Sequence, residues 1–203
     1  MNLYLQVLLA SALWCIFHSL FITAYWQDTV CERFPACAVY SRLVYVMASS
    51  LSLGVLFLWL RTLPEESIWA WTGWWQAVRV VGLFEAALLF YLGSRAYDGR
   101  AFLGLRQVAD QAAGRPISRP ALSTDGILGM VRHPWYTASL ILLVFGLPYT
   151  DVNLVWRAVF IAYFLVGTEL EERKLIAELG ERYLEYRRQV PRYFPSLRPR
   201  RRD

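Results

Sequence analysis

The chain has 203 residues, 57% of them hydrophobic, with nine tryptophans and a mean hydropathy of +0.33, a composition too apolar for an ordinary soluble domain. Its net charge is +5, and Lys174 is the only lysine, so the positive charge is carried by arginine. These basic residues stand between hydrophobic runs, which argues for a membrane surface and against nucleic acid as the partner.

In chain order, residues 3–26 form a first apolar run long enough to span a bilayer. It lacks a basic n-region and a cleavage site, and so reads as retained. Cys15 lies inside it; Cys31 and Cys37 follow with no C-x-x-C spacing, and all three read as free thiols in a reducing setting. Residues 39–60 form a second span, broken only by Arg42, and 74–97 a third, with Arg79 and Glu85 inside it and Arg79 and Arg95 placed to snorkel. Residues 134–147 and 154–168 are shorter, about 20 Å each as helices. Between them, Pro148 ends one helix and Asp151 or Asn153 is placed to cap the next. They read as a short helical hairpin.

From Glu169 to Val190 the tail is amphipathic. Leu175, Leu179, Tyr183, Tyr186 and Val190 recur at helical spacing opposite a charged face, Pro191 and Pro195 stop the pattern, and R-P-R-R-R-D offers a basic terminus to anionic lipid. The chain is therefore expected to be all-α, integral to the membrane, with five transmembrane helices and an amphipathic C-terminal helix. Arginine bias selects the N-terminus outside and the C-terminus in the cytoplasm, leaving only Arg61, Arg79 and Arg157 at the outer side. One domain is expected, 1–203, with a three-helix bundle over 1–97.

Three groups of residues carry chemistry. In V-R-H-P-W-Y (131–136), Pro134 marks a helix start; its first-turn amides suit an anion, and Trp135 and Tyr136 add aromatic faces. A snorkelling arginine with an interfacial histidine and an aromatic belt fits the same residue types. In E-L-E-E-R-K-L (169–175), Glu169 and Glu172 share a helix face and Glu171 points elsewhere. Carboxylates near a helix C-terminus oppose its dipole, which suits a nearby cationic ligand; pairing with Arg173 and Lys174 in a solvated run is the alternative. Glu85, in mid-membrane, costs roughly 3 kcal/mol unless neutral or paired, and His18 is its candidate partner, for structure or for function. No Walker A, H-E-x-x-H, G-x-S-x-G or Rossmann signature occurs, and two histidines with scattered cysteines make no metal site.

The order V-R-H-P-W-Y (131–136), E-E-R-K-L (171–175) and L-G-E-R-Y-L-E-Y-R-R-Q-V-P (179–191) resembles the integral-membrane methyltransferases that include isoprenylcysteine carboxyl methyltransferase and the phospholipid methyltransferases. F-L-G-L-R-Q-V, the G-R-P that follows it (102–116), and the F-H-S of the first helix are closer to the methanethiol S-methyltransferase branch and the nitrite-reductase-associated membrane proteins. Ala138 and Leu179 depart from the pattern, where glycine and phenylalanine are usual. The resemblance implies S-adenosylmethionine at the cytoplasmic face, held over 98–203 by Gln107, Gly126, Val131, Arg132, His133, Pro134, Tyr136, Glu171 and Glu172. Catalytic roles fall to Glu172, Arg187 and Arg188, and His18 and Glu85 sit on the acceptor side, lined by the first three helices. The acceptor is small or lipophilic, with a thiol favoured over an isoprenylcysteine-type carboxylate; a non-catalytic accessory protein is the alternative of another class. A small transporter would draw on Glu85 and His18 alone. Oligomeric state is left open.

Overall fold

A computed structural model describes residues 2–23, 33–34, 39–115 and 123–195. Cys31, Cys37 and the basic terminus lie outside them. The chain divides into two compact units, Met1–Glu65 with Asp98–Pro120, and Glu66–Tyr97 with Ala121–Asp203.

The first unit holds α1 (Leu3–Ile22), α2 (Ser41–Leu60), α4 (Gly99–Phe102) and α5 (Leu105–Ala112). Asn2 caps α1 by accepting from the Tyr4 amide at 3.0 Å, and Trp14 donates its indole N–H to Ser52 of α2 at 3.1 Å. The turn between α4 and α5 needs glycine twice over. Gly104 has φ +82°, and a Cβ there would lie 2.6 Å from the Leu43 backbone nitrogen.

In the second unit, α3 (Trp75–Ala96) packs against α6 (Pro134–Phe145). The buried stripe Gly82, Ala86, Leu89 and Gly93 runs down one face of α3 at helical spacing. A Cβ on Gly82 would meet the Phe145 ring at 2.6 Å, and one on Gly93 the Trp135 indole at 2.5 Å, so the two helices run antiparallel. Arg79 of α3 reaches across to α6. Its Nε and Nη2 donate to the carbonyls of Phe145 and Gly146, at 3.0 and 2.8 Å, which satisfies the open C-terminal end of α6.

Two short strands, which the apolar pattern does not announce, pair antiparallel: β1 (Ser67–Trp69) and β2 (Tyr149–Thr150). They lead into α7 (Asp151–Leu179), whose N-cap is Thr150, with Asn153 completing a capping box. Asp151 instead accepts from the Glu66 amide at 2.8 Å.

The expected break near residue 168 is absent. Helix α7 runs 29 residues, about 43 Å, because Gly167 is the only breaker inside it and E-L-E-E-R-K is built of strong helix formers. The chain turns only at Gly180, φ +58°, before α8 (Glu181–Gln189). Among the described residues, four helices, α1, α2, α3 and α7, are long and apolar enough to cross a membrane, and α6 is a shorter apolar helix. The protein is a mostly helical integral membrane protein.

Candidate functional site

Arg132 and Glu172, 40 residues apart in sequence, meet in the second unit. Pro134 opens α6 at its first turn, which makes His133 the N-cap residue and leaves its ring free of the helix. Because α7 is unbroken through the glutamates, Glu169 and Glu172 stand on one face, three residues apart.

Glu172 is fully buried. Its Oε1 accepts from Arg132 Nε at 2.9 Å and Nη2 at 2.7 Å, from His133 Nε2 at 3.1 Å and from Arg192 Nε at 3.2 Å. Its Oε2 accepts from Arg192 Nη2 at 2.7 Å, with Arg187 Nε at 3.7 Å. Arg192 Nη2 also reaches Glu169 Oε2, at 2.9 Å. Arg132 Nη1 donates to the carbonyls of Arg187, at 3.0 Å, and of Val190. A buried carboxylate holds its place only when its lone pairs are met in this way.

The C-terminal segment closes over the same point. The carbonyls of Pro191 and Arg192 accept from the amides of Arg132 and His133, at 2.9 and 3.2 Å, and the Thr137 hydroxyl lies 2.8 Å from the Tyr193 carbonyl. The tail is brought here by its apolar stripe: Tyr183, Tyr186 and Val190 are buried against Leu175, Ile176 and Leu179, the face that the spacing predicts. Tyr186 donates its hydroxyl to the Leu128 carbonyl at 2.6 Å, tying α8 to the 3₁₀ turn Gly126–Gly129. Tyr186→Phe leaves that carbonyl unsatisfied and is expected to cost about 1–3 kcal/mol, read as a lowered unfolding temperature in detergent.

Glu171 faces a different environment. Its side chain is 43% exposed, and its Oε2 stands 4.0 Å from His133 Nδ1, beyond hydrogen-bond distance. Its charge acts on the hydroxyls of Tyr136 and Tyr97. The Tyr136 ring sits edge-on to His133, with centroids 5.5 Å apart, and Tyr97 packs on Trp135 at 4.8 Å. A half-open carboxylate among aromatic rings is suited to an organic cation. Burial holds the His133 imidazole below its ordinary pKa, the nearby Glu171 and Glu172 opposing that shift.

Of the residues singled out from sequence, Arg132, His133, Pro134, Tyr136, Glu171, Glu172 and Arg187 gather in one place. Gly126 opens the 3₁₀ turn at φ +58°. Val131 is wholly buried in the core with Ala86, Leu89 and Ala138, so the alanine that replaces the usual glycine contributes its methyl to that core. Arg188 turns away, donating to Glu181 at 3.0 Å and Glu185 at 2.9 Å. Gln107 belongs to the first unit, where its Nε2 donates to the Ala101 carbonyl at 3.2 Å. His18, also there, meets the Tyr45 hydroxyl at 2.9 Å through Nε2. Glu85 is exposed on α3.

Arg192, Thr137 and Tyr97 were not legible as site residues. The nearest signal for Arg192 was the Glu169–Glu172 pair itself. Of the cations assigned to that pair, Arg173 reaches only Glu169, at 3.2 Å, and Lys174 turns to Glu178, at 3.8 Å. Glu172 was left needing an arginine from elsewhere.

Known proteins extend the geometry. The chain is 33% identical over 198 residues to methanethiol S-methyltransferase 2 of Bradyrhizobium diazoefficiens, covering 96% of this chain and 74% of that one. It is 32% identical over 158 residues to methanethiol S-methyltransferase 1 of the same organism, covering 77% of this chain and 55% of the relative. It is also 32% identical over 170 residues to a methanethiol S-methyltransferase of Pseudomonas deceptionensis, covering 77% and 60%. No family model matches the chain, and no solved structure does. Apolar helices together with these relatives define a membrane enzyme of methyl transfer. The chain belongs to the methanethiol S-methyltransferase family.

Proposed function

We propose that the chain transfers a methyl group from S-adenosylmethionine to a small thiol at the cytoplasmic face of the membrane. The observation that carries this reading is the division of labour between the two glutamates. Glu172 is committed to Arg132, Arg192 and His133, whereas Glu171 remains half-exposed beside Tyr136, Tyr97 and His133. Glu171 thus suits the ammonium group of the methyl donor, and the aromatic rings suit its sulfonium or its purine. When bound, the donor supplies an already activated methyl group, so the chain chiefly positions and screens.

Arg132 and Glu172 hold the start of α6 and the imidazole in place. Arg187, 42% exposed and 3.7 Å from Glu172, can present positive charge to an incoming thiol and so favour its thiolate. A thiol acceptor is supported by the relatives, all named for methanethiol. The cytoplasmic placement, with the N-terminus outside and five crossings once α6 is counted, is supported by the arginine distribution.

Calorimetric titration of the purified protein with S-adenosylhomocysteine tests this. Micromolar binding is expected. Glu171→Gln should weaken it by about 10–100-fold, corresponding to roughly 1.4–2.8 kcal/mol, with little change in unfolding temperature, since the side chain is half-open. Absence of binding by the unaltered protein would remove the methyl-donor reading. Membranes given labelled donor with a panel of thiols, prenylcysteines and phospholipids should label the thiol.

A further inference from the structure

The geometry points to His133 as the general base that takes the proton of the acceptor thiol at Nδ1, with Glu172 as the positioning residue that fixes its tautomer. This rests on the thiol-methylating reading above. The carboxylate of Glu172 has no proton to donate, so the 3.1 Å contact from His133 Nε2 requires the hydrogen on Nε2. A neutral ring then carries its lone pair on Nδ1. Among the described residues no hydrogen bond is made to Nδ1; Glu171 Oε2 stands 4.0 Å away.

The ring cannot easily turn. It is 4% exposed, edge-on to Tyr136, and its backbone amide is tied to the Arg192 carbonyl. A thiol hydrogen-bonded to Nδ1 would lie on the side of the ring that faces Glu171, the carboxylate assigned to the methyl donor, so that donor and acceptor are held close together.

The charged and titratable groups around the ring come from each packed element. They are Arg132 on its own segment, Tyr136 on α6, Glu171 and Glu172 on α7, Arg187 on α8 and Arg192 on the tail. Arg132 and Arg192 spend their charge on Glu172, on the Nε2 side. Burial outweighs the pull of the two carboxylates and keeps the ring neutral near pH 7, the form a base must have.

In the step, the thiol S–H bond breaks and the proton passes to Nδ1. The sulfur electron pair forms the new S–CH₃ bond as the sulfonium–CH₃ bond breaks, its electron pair staying on the donor sulfur. The products are a thioether and S-adenosylhomocysteine, and the imidazolium returns its proton to water. The need for a base is clear from magnitudes: a thiol with pKa about 8.5 is only about 3% ionised at pH 7, and general-base assistance supplies roughly 10²–10⁴-fold.

Nitrogen-15 spectroscopy of the purified 203-residue chain reads the tautomer without turnover, and the chain has only two histidines, so His18→Asn assigns the signals. A neutral ring with hydrogen on Nε2 at pH 7 is expected for His133; an imidazolium, or hydrogen on Nδ1, overturns the proposal. Kinetically, His133→Gln keeps a donor toward Glu172 but has no basic nitrogen. With saturating donor it should lose about 10²–10⁴-fold on an alkanethiol and at least tenfold less on an aromatic thiol already ionised at pH 7. Equal losses on both thiols would overturn the assignment. Failure of the unaltered protein to methylate either thiol, with cofactor binding intact, would instead strike the thiol reading itself.

Discussion

Glu172→Gln is expected to lower the unfolding temperature of the detergent-solubilised protein by about 6–20 °C. The glutamine keeps the shape of the side chain but removes the charge that Arg132 and Arg192 share. Arg132 is 6% exposed and Arg192 27%, so neither guanidinium can recover its hydration without moving the tail. Breaking a buried pair from one side costs roughly 3–5 kcal/mol, and for a chain of this size each kcal/mol is worth about 2–4 °C.

The loss should not stay local. The carbonyls of Arg187 and Val190 are held by the same Arg132 that Glu172 orients, so the 190–193 segment is expected to loosen and cofactor binding to fall with it. Adding Arg132→Gln to Glu172→Gln should recover part of the stability, since the uncompensated charge is then gone. A single variant as stable as the parent would show that the cluster does not hold the fold.

The second large effect is expected at a residue that touches no charged group. Gly93→Val places carbon where the Trp135 indole already stands, 2.5 Å from an added Cβ. Trp135 is bonded through its indole N–H to the Phe90 carbonyl at 3.2 Å, so it cannot step aside freely. Overpacking of this kind costs about 1–3 kcal/mol. Because Trp135 follows directly on His133 and Pro134, affinity for S-adenosylhomocysteine should fall together with stability. Gly54→Ala is the matched control. A Cβ there meets nothing within 4 Å, and the change should be neutral or stabilise by up to about 1 kcal/mol. Equal behaviour of the two variants would mean that contact between α3 and α6 does not set the start of α6.

Much of this molecule could be read from local pattern. Long apolar runs locate three of the four long helices to within a few residues, because a span of this kind is written in consecutive side chains. Pro134 announces the start of α6, since its ring excludes it from helix interiors but not from the first turn. The stripe from Leu175 to Val190 places the buried face of the tail, and Tyr183 and Tyr186 lie in that core. The expectation failed where the cue was charge. The run of glutamates and basic residues after Thr168 resembles a helix end at a membrane boundary, yet α7 continues to Leu179, because charged residues with long side chains propagate a helix as well as apolar ones do.

By itself, then, the sequence determined a membrane-embedded helical chain, the helix start at R-H-P and the amphipathic tail, since each rests on spacing within a few turns of chain. Only the tertiary structure decided which glutamate is spent and which is available. Glu172 and Glu171 are neighbours of the same chemical type, and nothing in their local spacing tells that one is walled in by Arg132 and by Arg192, 20 residues downstream, while the other opens toward His133 and Tyr136. That division depends on the Gly180 turn and the buried tyrosines folding the tail back, a long-range closure that periodicity does not encode.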